Sequence, residues 1–316
     1  MAQCFWNNHR GQEEGECTLP GVIPPPTGTP GGYALGGNTG TSSAVIDGIE
    51  FAGETAINPA ATLSVARREA AGANSTIKGY TMGGMDPSSA ASSIDGIEFA
   101  GETAISLVAV LSVARYRLSG ANSGTRGYAL GGYTGTRSAV IDGIEFAGET
   151  AINPAATLSL AREYSAGVNS SVRGYALGGY PSYPPTAVID GIEFAGETAI
   201  NPAATLSVAR YNLAGANSGT RGYALGGYGG TYVDIDGIEF AGETAINPAA
   251  ELSLTRWGQV GCNSNARGYA MGGHWGGLMR AVIDGIEFAG ETAINPAAEL
   301  SLPRQDASGV QAGGYL

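Results

Sequence analysis

The sequence predicts an all-β fold, a six-bladed β-propeller of four-stranded antiparallel blades, and three observations lead to this prediction. One unit of about 47 residues is repeated six times along the chain. Each unit contains four short apolar segments separated by turn signals, and none contains a long stretch with helical periodicity. A fixed period in this range is typical of architectures in which each unit buries a face only against its neighbours.

Two motifs mark the repeat. The first, Gly-Tyr-x-x-Gly-Gly, recurs at intervals of 47, 48, 47, 48 and 46 residues, with its tyrosine at Tyr33, Tyr80, Tyr128, Tyr175, Tyr223 and Tyr269. The second is Ile-Asp-Gly-Ile-Glu-Phe, with its aspartate at Asp47, Asp95, Asp142, Asp190, Asp236 and Asp284. Both motifs appear in every unit, so the six units are expected to fold alike.

The unit at residues 163–210 shows how the strands are assigned. A short segment of small residues is followed by an alternating segment that ends at a glycine pair, and then by a run of β-branched and aromatic residues. Pro202 follows an asparagine and marks a turn, which argues against a helical repeat. The four predicted strands are residues 165–169, 173–180, 187–194 (continued by 197–200) and 205–209. A β-solenoid is the structural alternative.

The two ends of the chain predict how the ring closes. The regular part begins at the second strand of a unit, near Gly32, and ends with Ser308-Gly-Val-Gln-Ala312, which matches a first strand. The C-terminal segment is therefore expected to supply the innermost strand of the first blade and to remove free sheet edges. Residues 1–30 form an N-terminal extension in this assignment, and residues 31–316 form the propeller.

The last residues, Gly313-Gly-Tyr-Leu316, imitate the start of the second strand that Gly31 to Leu35 already provides. Two interpretations follow. The segment is either a remnant of duplication that frays at the chain end, or a strand that completes a neighbouring subunit and builds a filament or swapped oligomer.

Composition narrows the classes of partner. The net charge of −12 argues against nucleic acid, which needs clustered Lys and Arg, and against an anionic membrane surface. No apolar run has the length of a membrane span, and the N-terminus does not resemble a signal peptide. We expect a virion or extracellular location, with the cytoplasm left open. Cys4 and Cys17 could form a disulfide, whereas Cys262 is expected to be a small buried side chain.

A recurring arginine predicts ion pairs between blades. It follows Leu-Ser-x-x in each unit, at Arg67, Arg115, Arg162, Arg210, Arg256 and Arg304. The motif aspartates, together with Glu50 and its repeats, are the expected carboxylate partners. Calcium binding by these acids is the alternative. A recurring asparagine either satisfies backbone groups at a turn or lines a central channel, at Asn74, Asn122, Asn169, Asn217 and Asn263.

Catalytic signatures are weak. The chain has two histidines, His9 and His274, and neither a nucleophile elbow, a zinc-type Cys/His spacing nor a phosphate-binding loop is present. We therefore expect a protein without catalysis, cofactor or metal. A hydrolase that uses a central channel is the alternative.

Variation between the units concentrates in two loops. One follows Gly-Gly and the other follows the recurring arginine, and both are expected on the same face of the ring. The aromatic and histidine side chains there are candidate partner-binding residues, although drift in exposed loops would produce the same pattern. These candidates are Tyr116, Tyr133, Tyr164, Tyr180, Tyr183, Tyr211, Tyr228, Trp257, His274 and Trp275.

The three cassettes Gly-Tyr-x-x-Gly-Gly, Ile-Asp-x-Ile-x-Phe and Leu-Ser-x-Ala-Arg resemble kelch-like repeats of bacteriophage and bacterial structural proteins, over residues 31–316. The tryptophan that kelch repeats usually carry after the third strand is missing. The resemblance implies a propeller that acts as a structural or adhesive subunit of an extracellular assembly, a virion or tail component or a surface filament. Its partners would be copies of itself or other structural subunits, reached through the N-terminal extension and the C-terminal strand. A carbohydrate- or protein-binding module is the alternative.

Overall fold

The computed structural model describes residues 30–230 and 232–312, where all regular elements are β-strands. They form the predicted six-bladed propeller. Blade 1 contains β1 (Gly31–Leu35), β2 (Ser43–Glu50), β3 (Thr55–Ile57) and β4 (Thr62–Arg67), and is completed by the last strand, β27 (Ser308–Gln311); blade 2 contains β5 (Ala71–Asn74), β6 (Lys78–Met82), β7 (Ser93–Glu98) and β8 (Thr103–Val110). Blade 3 contains β9 (Ser119–Asn122), β10 (Arg126–Leu130), β11 (Ile141–Glu145) and β12 (Thr150–Ile152); blade 4 contains β13 (Ala166–Asn169), β14 (Arg173–Leu177), β15 (Ile189–Glu193) and β16 (Thr198–Ile200). Blade 5 contains β17 (Ala214–Asn217), β18 (Arg221–Leu225), β19 (Ile235–Glu239) and β20 (Thr244–Ile246); blade 6 contains β21 (Val260–Asn263), β22 (Arg267–Met271), β25 (Ile283–Glu287) and β26 (Thr292–Ile294), with the short hairpin β23 (His274–Trp275) and β24 (Leu278–Met279) between β22 and β25.

The C-terminal strand closes the ring within the chain, as predicted. β27 pairs antiparallel with β1, from Gly32 opposite Gln311 to Leu35 opposite Ser308. In every blade the order from the axis outwards is an inner, a second, a third and an outer strand, each antiparallel to the next. Because the inner strand of blade 1 is the last strand of the chain, the two halves of that blade come from opposite ends of the propeller.

The outer part of each blade differs from the sequence prediction. Residues 197–200 do not continue the third strand, because the chain turns at residues 194–197 and β16 then runs back along β15. The segment 205–209, predicted as the fourth strand, forms only one bridge, from Thr205 to Val188, although its counterpart in blade 1 is the strand β4. Its apolar pattern reflects packing of Leu206 in the core, where it is 3% exposed.

Proline explains this interruption. Five units carry Asn-Pro after the outer strand, and a proline has no N–H to donate to the ladder. The second unit has Ser106-Leu107 at the same place, and there β8 continues unbroken to Val110. The Asn-Pro segments are therefore breaks in the outer strand, and the face opposite the variable loops is built by other turns, the Phe-Ala-Gly-Glu turns and the loops between inner and second strands.

The core consists of six clusters, each shared by two neighbouring blades. The cluster between blades 2 and 3, for example, joins Tyr80, Met82 and Ile94 to Ala129 and Ile144. At every interface the tyrosine of one blade stacks on the phenylalanine of the next, at ring centroid distances of 5.3–5.6 Å. The motif residues thus stabilise contacts between blades, and no blade has an apolar core of its own.

Glycines allow the inner strands to converge. An inner-strand glycine of each blade contacts the backbone of the preceding one, at Gly72, Gly120, Gly167, Gly215, Gly261 and Gly309. A Cβ atom at any of these positions would lie 1.9–2.1 Å from a carbonyl oxygen of the preceding glycine. The six contacts run around the whole axis, so this layer of the ring tolerates no side chain.

We expect Gly120→Ala to lower the free energy of unfolding by about 3 kcal/mol or more, because the new methyl group would meet backbone that cannot rotate away. Gly124→Ala is the matched control, since a Cβ there has no neighbour within 4 Å, and we expect it to change stability by less than about 0.5 kcal/mol. Urea unfolding of both variants tests this. Equal urea midpoints for the two variants would contradict the close backbone contact at Gly120.

Candidate functional site: the variable face and the axial pocket

The recurring arginines pair with the aspartate of the following blade. Arg67 Nη2 lies 2.9 Å from Asp95 Oδ1, and both side chains are 1% exposed. The second oxygen of the aspartate accepts bonds from the backbone N–H and hydroxyl of Ser64, at 3.1 and 2.5 Å. The same arrangement occurs six times, as Arg67–Asp95, Arg115–Asp142, Arg162–Asp190, Arg210–Asp236, Arg256–Asp284 and Arg304–Asp47.

These pairs are closed to solvent. Arg162 also donates to the carbonyl oxygen of Ala176, so its guanidinium bonds to both the second and the third strand of the next blade. Burial lowers the pKa of Arg162, and the nearby Asp190 opposes that change. Glu50, which the sequence also offered as a partner, instead accepts bonds from the N–H groups of Ala52 and Gly53 in its own turn.

A second set of contacts between blades escaped the sequence analysis. Each motif tyrosine donates its hydroxyl to a glutamate of the next blade, over 3.0–3.3 Å, in the pairs Tyr33–Glu102, Tyr80–Glu149, Tyr128–Glu197, Tyr175–Glu243, Tyr223–Glu291 and Tyr269–Glu54. Burial, and then Glu197, raise the pKa of Tyr128 to about 12. In five of the six pairs, an Arg or Lys side chain also forms a salt bridge with the glutamate. In the sequence, this basic residue is the Arg or Lys directly before Gly-Tyr in five units; the first unit has Gly31 at that position.

The recurring asparagines lie at the axis, at the opposite end from the variable loops. Asn169 Oδ1 accepts the backbone N–H of Asn122 over 3.3 Å, and Asn263 Oδ1 accepts that of Asn217 over 3.1 Å. These two asparagines thus satisfy a backbone group, as one prediction had it, but in the inner strand of the neighbouring blade and not at a turn.

The two variable loops form one surface, which we call the variable face. The residue after Gly-Gly forms a bridge with the residue after the recurring arginine, so both loops lie at the same end of the ring. The six bridges are Asn38–Gln305, Arg68–Met85, Tyr116–Tyr133, Glu163–Tyr180, Tyr211–Tyr228 and Trp257–His274. Aromatic side chains are therefore confined to the part of the face formed by blades 3 to 6.

Six aromatic residues of this face are in contact with one another, and we call them the aromatic ridge. Tyr164 and Tyr180 both contact Tyr211, and the ridge continues from Tyr211 through Tyr228 and Tyr232 to Trp275, with ring centroids of contacting pairs 5.0–6.1 Å apart. Five of the six were predicted candidates, and Tyr232 was missed because it lies four residues beyond its loop's first aromatic. Tyr228 is 43% and Trp275 37% exposed.

The remaining candidates lie beside the ridge. Tyr116 and Tyr133 meet edge to face at 5.5 Å, and Trp257 lies 4.7 Å from the ring of His274. Tyr183 is 86% exposed at a loop tip and makes no ring contact within the described residues. All ten candidates thus lie on the variable face; nine of them have ring contacts, and Tyr183 stands alone at its loop tip within the described residues.

A circle of backbone hydrogen bonds surrounds the axis at the centre of the variable face. We call its members the axial ring: Glu69, Arg117, Tyr164, Asn212, Gly258 and Asp306, each two residues after a recurring arginine. The N–H of each residue donates to the carbonyl oxygen of the preceding member over 2.7–3.0 Å, and Glu69 closes the circle by donating to Asp306. All six have a left-handed φ between 56° and 69°.

The axial ring forms the mouth of a cavity of about 70 Å³, the axial pocket. Arg117 bonds to the carboxylates of Glu69 and Glu163, at 3.3 and 2.9 Å. Its guanidinium carbon also lies 4.7 Å from the centre of the Tyr164 ring, and the Tyr164 hydroxyl donates to Glu69 over 3.2 Å. Asp306 accepts a bond from Gln305 Nε2 over 2.8 Å.

The acids of the axial ring have perturbed pKa values. Burial, and then the charge of Glu69, raise the pKa of Asp306 to about 8. Burial also raises the pKa of Glu69, and Arg117 opposes that change. The raised pKa values favour a retained proton on these acids, and the charges of Arg117 and Arg68 oppose both shifts.

The sequence contained a signal for this ring. Only Tyr164 was a predicted candidate, yet this position carries a different residue in each of the six units, whereas the motif residues are identical in all. The pattern identifies a site only once the ring has brought positions about 47 residues apart onto one axis.

Several sequence predictions concern residues that the structure does not describe. Cys4, Cys17, His9 and residues 313–316 lie outside the described residues, whereas Cys262 is buried and 1% exposed. In residues 30–230 and 232–312, no group of His, Cys, Asp and Glu has the arrangement of a metal site. No helix long and apolar enough to cross a membrane occurs in that part of the chain.

We expect Arg162→Met to destabilise the protein by about 3–5 kcal/mol, because Asp190 would stay buried without its cation. Arg126→Met is the matched control, since Arg126 bonds to Glu197 with its side chain 38% exposed, and we expect a loss below about 1 kcal/mol. Chemical denaturation measures both. A loss for Arg162→Met no greater than that for Arg126→Met would refute a structural role of the buried pair.

The raised pKa of Asp306 predicts that the stability of the protein depends on pH. Its raised pKa means that the folded protein keeps a proton that the unfolded chain releases near pH 4, so stability falls as the pH rises from about 4 to about 8. Asp306→Asn removes this effect, and its gain in melting temperature over the wild type is expected to grow between pH 5 and pH 9. The exposed control Asp86→Asn is expected to show a constant difference. A pH-independent gain for Asp306→Asn would be evidence against the burial of a titrating acid.

Comparison with known proteins gives no assignment: no protein-family model matches the chain, and no curated protein shows significant similarity to it.

Proposed function

We propose that this propeller is a non-enzymatic structural or adhesive subunit whose variable face is its contact surface. The observation that carries the proposal is the separation of constant and variable residues. The residues that form the contacts between blades are shared by all six units, while the exposed aromatic side chains and the two variable loops of each unit lie on one face.

Aromatic side chains are suited to this role. Tyrosine and tryptophan bury a large area at a small conformational entropy cost and dominate the energetics of many interfaces. Tyr228, Tyr232 and Trp275 lie next to one another, with centroid distances of 5.1 and 5.0 Å, so one partner can cover all three. A protein surface of another subunit is the partner we favour.

The repeat cassettes support an extracellular assembly. They resemble kelch-like repeats of bacteriophage and bacterial structural proteins, in which propellers serve as parts of larger particles. We therefore propose a virion or tail component, with a surface filament as the related possibility. The N-terminal extension and the C-terminal segment would then add contacts to neighbouring subunits.

Carbohydrate binding is the second candidate. Sugars stack on exposed aromatic rings, and the partly exposed rings of Tyr228 and Trp275 at the end of the ridge offer such a platform. A glycan array separates the two functions, because a structural subunit is expected to bind no glycan.

The test is the native mass and shape of the particle, by light scattering after size exclusion and by negative-stain microscopy. We expect the wild type to form ordered assemblies and Tyr228→Ala/Trp275→Ala to weaken association at least tenfold, towards the 31.8 kDa monomer. Val172→Ala, at a 59% exposed position in a loop on the opposite face, is the control and is expected to assemble normally. A wild type that stays monomeric at all concentrations would refute the structural role.

A further inference from the structure

We propose that β8, the outer strand of blade 2, is a pairing edge to which a second copy of the chain adds its own β8 in antiparallel orientation. The pairing joins two propellers at their outer rims and continues the sheet of blade 2 from one copy into the other. The inference goes beyond the proposed function and does not rest on it, because no residue of β8 belongs to the variable loops.

Blade 2 departs from the other blades in its outer strand. In five units the segment Thr-Ala-Ile is followed by Asn-Pro-Ala-Ala, whereas the second unit has Ser106-Leu-Val-Ala109 at that place. Outer strands such as β12 and β16 therefore have three residues, and β8 has eight. Among the described blades, blade 2 alone has an outer strand of this length.

The outer edge of β8 is open to another strand. β8 ends the strand order β5-β6-β7-β8, so its inner edge bonds to β7 and its outer edge has no strand partner within the described residues. Proteins normally protect such an edge with proline, with charge or by keeping the strand very short. Asn-Pro gives this protection in five blades, but residues 103–110 contain no proline, glycine or charged residue.

The side chains of β8 suit a paired strand. The strand is apolar and rich in β-branched residues, the composition of segments that pair with other chains when exposed. Ile105 and Leu107 pack against the core between blades 2 and 3, whereas Val108 is fully exposed. Val110 is 46% exposed, and Val65 of the adjacent strand β4 is 42% exposed. Association at this edge would remove these valines from water.

Charge and symmetry select a second copy as the occupant. The chain has a net charge of −12, and this neutral edge is where two copies can meet with little repulsion. Two identical edges pair antiparallel about a twofold axis, so each copy makes the same contacts. The two Glu102 side chains, directly before β8, then lie at opposite ends of the pair, roughly 30 Å apart at the usual rise of a strand. That separation exceeds the screening length, whereas a parallel pair would place them together.

The direction of β8 determines how the two propellers are oriented. β8 begins after the turn at residues 99–102, on the face opposite the variable loops, and the chain then leads through Arg115 to the variable face. Antiparallel pairing places the beginning of one β8 beside the end of the other. The dimer therefore presents its two variable faces in opposite directions. Each copy has one such edge among the described blades, so pairing stops at two copies.

The experiment is sedimentation of the full chain with Tyr228→Ala/Trp275→Ala as background, in which the variable face contributes little to association. We expect a reversible dimer of twice the 31.8 kDa chain mass. Ser106→Asn/Leu107→Pro introduces the residues of the other five units, so it is expected to fold. We expect it to weaken dimerisation about tenfold or more, because proline interrupts the strand and removes an N–H group.

Blade 4 offers the converse test. Asn201→Ser/Pro202→Leu/Ala203→Val/Thr205→Val gives that blade the residues of β8 and gives each chain a second edge. We expect masses above the dimer that increase with concentration, because a copy with two edges joins two neighbours. Ala203→Val/Thr205→Val is the matched control, since it adds the same valines and keeps Pro202. We expect this control to remain dimeric.

Cysteine cross-linking locates the contact, in a chain with the two cysteines of the N-terminal extension replaced by serine. The longest pairing is centred on Ser106 or Leu107, which places Ser106 opposite Ser106 or Val108 of the other copy, within reach of a disulfide. Ser106→Cys/Val108→Cys is therefore expected to form a covalent dimer on oxidation. Asn201→Cys/Ala203→Cys, at the same positions of blade 4, is expected to remain a single chain.

Four results would each overturn the proposal. They are a background chain that stays monomeric at every concentration, with its edge free or covered by its own extension; a dimer that Ser106→Asn/Leu107→Pro leaves unchanged; a blade 4 variant no larger than its control; and equal cross-linking at both blades. Failure of the proposed function looks different. In that case Tyr228→Ala/Trp275→Ala leaves the assembly of the wild-type chain unaltered, while the dimer through β8 persists.

Discussion

The buried ion pair between blades is the interaction on which the rest of the structure depends. Each blade carries a carboxylate that only the preceding blade neutralises and an arginine that only the following blade can satisfy. An open row of blades would leave one arginine and one aspartate without a partner at its ends, and would expose the apolar face that each end blade otherwise buries against a neighbour. Arg304 and Asp47, 257 residues apart, remove both ends at once.

Closure of the ring also requires that the six units carry the same residues at their contact positions. The inner glycines approach the preceding backbone so closely that a blade displaced from its position would collide with a neighbour. The tyrosine stacks and the tyrosine–glutamate bonds have the same geometry at all six interfaces, so each unit must offer the same residues at the same positions. The loops of the variable face are joined mainly through backbone bridges, which accept any side chain. Sequence freedom is thus greatest on the variable face, whereas the exposed outer strand Thr-Ala-Ile is the same in all six blades.

This division determines what the sequence could predict. Repeats and strand-forming segments were sufficient for the six blades and their closure, and the opposite charges of Arg67 and Asp95 indicated a pair. Apolar residues alone could not distinguish a core-packing segment such as 205–209 from a strand, because proline breaks the ladder without changing the pattern. The bonds of Tyr128 to Glu197, 69 residues away, and of the axial ring depend on which blades are adjacent. That information exists only in the closed ring.

The circle of hydrogen bonds in the axial ring has a direction but no beginning or end. At the end of a helix, unpaired peptide groups leave a partial charge that a ligand can use. In the axial ring, every N–H and its carbonyl acceptor belong to the same closed loop, and the components of the six dipoles in the plane of the ring cancel around it. The backbone therefore distinguishes no direction across the mouth. A guest at the centre would take its orientation entirely from five unlike side chains and one glycine, so a nearly symmetric scaffold can hold an asymmetric molecule in one pose.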